Sequence, residues 1–172
     1  RVTAGTARYA LPTEAQWERA AAWNAPGTQS ARRYLYGNSC DILVMSDGNF
    51  TEWTLSEGGG EAIPTYSNPL ALRQFPYTTP AGYYNGENQT KDSLSPAGCR
   101  DMAGNAAEWC EDWYAPYTST AQTNPRGPLN GTRRCVRGGS WYQSTAICRA
   151  SNRLALSPME VVDEVGFRIV LQ

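Results

Sequence analysis

Asp101-Met102-Ala103-Gly104-Asn105-Ala106-Ala107-Glu108-Trp109, then Arg137-Gly138-Gly139-Ser140-Trp141, then Gly166-Phe167-Arg168: these three stretches decide how the chain is read. Two carboxylates, glycine turns and closely spaced tryptophans predict a loop folded around a cation or a polar network. The periodicity around them is short. Val165, Phe167, Ile169 and Leu171 alternate with Gly166, Arg168 and Val170, so short strands are expected near 134–137 and 166–171.

Upstream, Leu11-Pro12 precedes Thr13-Glu14-Ala15-Gln16-Trp17-Glu18-Arg19-Ala20-Ala21-Ala22. Thr13 is a good N-cap and Gln16, three residues on, completes a capping box. Trp17, Ala20 and Ala21 fall on one helical face, which predicts a helix over 13–23. Residues 1–10 read as an extended lead-in. Residues 24–100 read mostly as loop, with turn signals at Asn24-Ala25-Pro26-Gly27, Gly58-Gly59-Gly60, Ser67-Asn68-Pro69 and Asn85-Gly86. Tyr34, Tyr36, Phe50, Trp53, Tyr66, Phe75, Tyr77, Tyr83 and Tyr84 punctuate this run and predict ordered loops pinned by rings. No repeat, linker or second domain is visible, so 1–172 reads as one domain.

Composition narrows the chemistry. Sixteen Gly and eleven Pro in 172 residues point to a turn-rich chain. Histidine is absent, which removes Ser-His and Cys-His nucleophile pairs and every histidine-ligated metal site. A net charge of −1 without a long basic run argues against a nucleic-acid partner. No run of about 18 apolar residues exists to span a membrane. The five cysteines, at 40, 99, 110, 135 and 148, form no CxxC and are expected to be free buried thiols. The compartment stays open, with the cell surface or secretion the favoured setting. Three triplets of the glycosylation type, at Asn49, Asn88 and Asn130, are short enough to arise by chance.

The motifs together resemble the formylglycine-generating enzyme family, also called the sulfatase-modifying factor family. Leu11 to Ala21 is similar to its LPTEAQWE helix start, Tyr36-Gly37-Asn38 to its WGN turn, and Thr79 to Tyr84 to its TxPVGxY segment. The GN-x-x-EW, RGGSW and GFR signatures follow in order. The resemblance covers nearly the whole chain. It implies an α+β, C-type-lectin-like fold, rich in loops, with an N-terminal strand and helix that this chain starts too late to hold.

The resemblance also implies calcium. One site would take Asp101, the carbonyls of Gly104 and Ala106, and Glu108, a set of hard oxygen donors bent at a glycine. The alternative is that Glu108 and Asp101 only accept hydrogen bonds from the loop. A second site would use Asn49 and the carbonyl of Phe50.

Catalysis turns on cysteine. The resemblance implies that the oxidases of this family hold copper(I) between two thiolates five residues apart. Cys148 stands at the first position and Arg153 at the second. A guanidinium is always charged and offers no lone pair, so no copper is expected. Cys148 is catalytic only if the chain is nevertheless a formylglycine-generating oxidase; otherwise it is a small buried side chain. Arg137, Arg149, Arg153 and Arg168 read as fork-shaped anchors, with Glu108, Glu111 and Asp112 as candidate partners.

Residues 142–164 follow no period. Tyr142, Gln143, Ser144, Ile147, Asn152, Leu154, Leu156, Met159, Glu160, Val162 and Asp163 are the candidate ligand-binding side chains, expected on an exposed irregular surface. Trp141, Arg149, Arg153 and Phe167 would form its frame. The segment is similar to the variable region of retroelement-diversified proteins, which display changeable residues on this same fold. A rigid frame tolerates any side chain at exposed loop positions. Three readings stand: a diversified binder of a protein or other macromolecule, a binding domain of fixed sequence, and an oxidase acting on a substrate cysteine.

Overall fold

Thr13 starts the one helix found among the described residues. In α1 (Glu14–Ala22) the Gln16 N–H donates to Thr13 Oγ1 and the Thr13 N–H donates back to Gln16 Oε1, at 3.2 and 2.8 Å. This is the expected capping box. Trp23 turns extended and ends the helix. Trp17, Ala21 and Ala22 face inward and pack with Met102, Cys110, Cys135 and Ala150. The computed structural model of the chain describes residues 8–24, 36–37, 39–40, 47–55, 62–66, 77–87 and 89–172, with the side chains of 52–55 and 62–66 outside that description.

The strands are short: β1 (Tyr9–Ala10), β2 (Thr51–Leu55), β3 (Ala62–Tyr66), β4 (Ala107–Trp113), β5 (Arg134–Arg137), β6 (Leu154–Leu156), β7 (Val165–Gly166) and β8 (Val170–Leu171). A four-stranded sheet runs β6-β5-β4-β7, with β7 parallel to β4 and the other pairs antiparallel. β2 pairs with β3, and β1 pairs with β8. The fold is α+β, strand-rich and threaded by loops.

Several expectations change here. The 24–100 stretch is mostly loop where it is described, but β2 and β3 pair within it. The single strand expected over 166–171 is two, β7 and β8, which join different sheets. β4, unread in the sequence, is one of the two central strands of the main sheet. Glu108, Cys110 and Asp112 are buried along it while Trp109, Glu111 and Trp113 are half-buried. Carboxylates on both faces hide the alternation that would have marked it as a strand.

The rings at Tyr36, Phe50 and Tyr84 are buried, and Tyr77 stacks on Trp141 with centroids 4.3 Å apart. Tyr34 and Phe75 lie outside the described residues, as do the side chains of Trp53 and Tyr66, Asn38 of the Tyr36 turn, Asn88 of its triplet and the turns at 25–27, 58–60 and 67–69. No disulfide forms among the described residues; Cys110, Cys135 and Cys148 are buried as expected, whereas Cys40 and Cys99 are half-buried. Asn49 is buried too and cannot present a glycosylation triplet.

Candidate functional site

The three stretches that opened the sequence reading meet in space. The Gly104 N–H donates to the Gly138 carbonyl at 2.9 Å, and the Trp141 N–H donates to the Asn105 carbonyl at 3.0 Å. Glu108 pairs in register with both Arg137 and Gly166. Gly104 has φ +78°, and a side chain there would collide with the Asn49 carbonyl oxygen. That oxygen accepts the Asn105 N–H at 2.7 Å. Glycine is therefore required for the two loops to touch.

At the centre is a polar network. Glu108 is buried and both of its oxygens are taken: Arg168 Nη2 donates to Oε1 and Arg168 Nε to Oε2, each at 2.5 Å. Trp17 Nε1 donates to Oε2 at 2.6 Å. Arg168 Nη2 also reaches the carbonyls of Arg100 and Asp101, at 3.2 and 3.4 Å. Asp101 Oδ2 accepts the Gly82 N–H at 2.6 Å, while its Oδ1 is buried without a hydrogen-bond partner. Burial alone would lower the Arg168 pKa, but its bonds to Glu108 and the carboxylate charge hold it above the usual value.

These residues do not fit calcium as they stand. A calcium ion needs six to eight oxygens, and the Glu108 carboxylate already accepts three hydrogen bonds, two from a guanidinium and one from an indole. Gly104 and Ala106 hold the loop's bend, with Ala106 beside Gly166. Asn49 spends its amide on the Tyr77 carbonyl and on Asn105 Oδ1, at 2.9 and 3.3 Å. Among the described residues no three His, Cys, Asp or Glu side chains group in a way that could hold a metal ion.

Arg153 lies at the position of the second thiolate. Its Nε and Nη2 grip the two oxygens of Glu14 at 2.6 and 2.7 Å, and Nη1 donates to the Ala115 carbonyl at 2.8 Å. Its guanidinium sits 3.9 Å from the Tyr117 ring and 4.6 Å from the Tyr114 ring. Arg137, fully buried, reaches Glu14 at 2.5 Å and Glu18 at 2.9 Å. Cys135 Sγ donates to Glu14 Oε2 at 3.3 Å, and burial followed by the Glu14 charge pushes that thiol up to about 12.

The expected partners are thus corrected in part. Arg168 does pair with Glu108. Arg137 and Arg153 choose Glu14 and Glu18 on α1 rather than Glu111 or Asp112 on β4. Asp112 instead accepts the Glu14 N–H at 2.7 Å and closes the helix start. Arg149 is exposed and bridges Tyr36 through its backbone. Glu14 was visible only as part of the helix-start motif, and its role as a hub needed the tertiary fold. Cys148 is buried, and a Cβ at Gly139 (φ +70°) would lie 2.7 Å from its sulfur.

Residues 142–164 divide by exposure. Tyr142, Met159, Glu160 and Asp163 are exposed, as is Val161. Gln143, Ser144, Ile147, Asn152, Leu154, Leu156 and Val162 are half-buried. The segment is not irregular throughout, because Leu154–Leu156 pair with Arg134–Val136 at the sheet edge. The frame is corrected as well. Trp141 is buried and Arg153 anchored, but Phe167 is 69% exposed. Arg168 turns inward to Glu108, while its neighbours Phe167 and Ile169 face solvent.

A cleft of about 880 Å³ opens between α1 and the loop after β4. Trp23, Trp113 and Tyr117 line it, with Glu14, Glu18 and Arg153 along one side. No sequence signal pointed to it, since its wall is the aperiodic run 114–128.

Comparison with known proteins gives a consistent answer. The Sulfatase-modifying factor enzyme 1-like domain matches residues 3–172. The chain is 30% identical over 165 residues to the formylglycine-generating enzyme of Streptomyces coelicolor, covering 92% of this chain and 45% of that protein. It is 33% identical over 162 residues to the serine/threonine-protein kinase pkn1 of Chlamydia caviae, covering 92% of this chain and 20% of that one. The structure of Treponema denticola variable protein 1 superposes with a TM-score of 0.60 at 28% identity, over 94% of this chain and 46% of that chain. PvdO from Pseudomonas aeruginosa shares the fold at a TM-score of 0.56 and 21% identity, over 94% of this chain and 52% of that chain. The chain spans about half the length of these proteins, and a fifth of the kinase. It belongs to the Sulfatase-modifying factor enzyme 1-like family, whose members share the loop-rich, C-type-lectin-like fold of the formylglycine-generating enzymes.

Proposed function

We propose that this domain is a non-catalytic binding module that meets a protein or other macromolecule through the surface of 142–164, in the manner of a retroelement-diversified variable protein. The observation that carries this reading is Arg153. It stands where an oxidase would need its second thiolate, and it locks the segment to Glu14 from below with two bonds at 2.6 and 2.7 Å. A frame held in that way leaves Tyr142, Met159, Glu160, Val161 and Asp163 free to vary without cost to the fold. The likeness to Treponema denticola variable protein 1 supports the same use of the surface.

The oxidase reading keeps the support of the formylglycine-generating enzymes among the relatives. It has only Cys148 to work with, a buried thiol packed beneath Gly139. Two measurements test the proposal. Copper-loaded protein, offered a cysteine peptide with the sulfatase motif, should give no more formylglycine than its Cys148→Ser variant; clear excess turnover would establish the oxidase. The same locus read across sibling isolates should change at Tyr142, Met159, Glu160 and Asp163 while Trp141, Cys148 and Arg153 stay constant. An invariant segment, or changes spread evenly over the chain, would remove the diversified surface.

A further inference from the structure

We propose that the 101–108 loop takes its cation from within the chain: the Arg168 guanidinium occupies the seat between Glu108 and the carbonyls of Arg100 and Asp101, and a divalent ion enters only when that guanidinium is removed. The seat is built from three separate parts of the chain. Glu108 comes from β4, the carbonyls from the loop that precedes it, and Arg168 from the segment between β7 and β8. The Glu108 side chain is 10% exposed and that of Arg168 23%. Both Glu108 oxygens face the guanidinium at 2.5 Å, and a charge-assisted fork of this kind is the strong form of the hydrogen bond.

The electrostatics decide between arginine and calcium. With Arg168 present the Glu108 pair is neutral. A calcium ion at the same carboxylate would place two further positive charges against a guanidinium that cannot lose its proton. Without Arg168 the balance reverses. Glu108 becomes an uncompensated buried carboxylate beside the freed carbonyls of Arg100 and Asp101, which are hard oxygen donors, and the same loop carries Asp101 Oδ1, buried without a hydrogen-bond partner. The arginine also does the mechanical work of an ion. It ties the end of the chain to the loop and, through the Trp17–Glu108 bond, to α1.

Terbium, a calcium stand-in excited through nearby tryptophan, is the direct probe, because Trp17 touches Glu108. The wild-type chain should give no sensitised terbium emission and the same Tm in calcium as in chelator. Arg168→Ala should melt lower in chelator, regain Tm in calcium and give terbium emission that calcium displaces. Arg168→Lys, which keeps a cation, should stay insensitive to calcium, and Arg168→Ala with Glu108→Gln should lose the response. If Arg168→Ala folds poorly, refolding in calcium against chelator gives the same readout. A wild-type Tm that rises with calcium overturns the proposal, because the ion would then coexist with Arg168. An Arg168→Ala protein blind to both ions overturns it equally.

Discussion

Glu14 is the residue on which most of the site depends. It is the first residue of α1, yet it accepts bonds from Arg137, Arg153 and Cys135. These three partners come from beyond residue 130, so a local change at the helix start is felt at the end of the chain. Arg137 is 0% exposed. Removing the carboxylate leaves that guanidinium only Glu18 and the Ala150 carbonyl and takes both fork bonds from Arg153, and breaking a buried pair on one side costs about 3–5 kcal/mol. Glu14→Gln should show a loss of that size in chemical denaturation. A loss under about 1 kcal/mol, the value of an exposed pair, would mean that the network is solvated and dispensable.

At the level of elements, β6 separates scaffold from surface. Leu154 and Leu156 are half-buried and paired with Val136 and Arg134, whereas Tyr142 and Met159 are exposed. Replacing Leu154 and Leu156 by Ser should therefore cost about 0.5–3 kcal/mol each. Replacing Tyr142 and Met159 by Ser should stay within about 0.5 kcal/mol each. Trp141→Ala, which removes a buried ring stacked on Tyr77, should cost about 3–5 kcal/mol. Thermal melts of the three variants rank them. Equal, small effects from both pairs would return β6 to the display surface.

For the whole molecule, acid should be the sensitive direction. Burial by itself raises the Glu14 pKa, but the hydrogen bonds and charges of Arg153 and Arg137 outweigh it and leave the carboxyl below its usual range. The native state then binds fewer protons than the unfolded chain. This contribution is complete above the unfolded value of about 4.3 and is lost as pH falls through the depressed native value. Stability followed from neutral pH downward should hold and then drop, with a shallower drop in Glu14→Gln. A wild-type profile that matches the variant through that window would show that the pairing carries no linkage.

What the sequence determined by itself was local or motif-bound. The capping box at Thr13 and Gln16, the helix it starts, the strand at 134–137 and the α+β family were all readable, because each rests on neighbours a few residues apart or on ordered motifs. The absence of histidine, and of a second thiolate at Arg153, were readable for the same reason. The tertiary structure alone decided what the charges do. Arg137 and Arg153 pair with carboxylates more than a hundred positions away, and Asp112 caps a helix from another strand. β4 escaped because its buried face carries Glu108 and Asp112, which a hydrophobic period cannot register. The alternation from Val165 to Leu171 was legible but not its direction. Arg168, in the segment between β7 and β8, is held inward by Glu108, while Phe167 and Ile169 on either side of it lie at the surface.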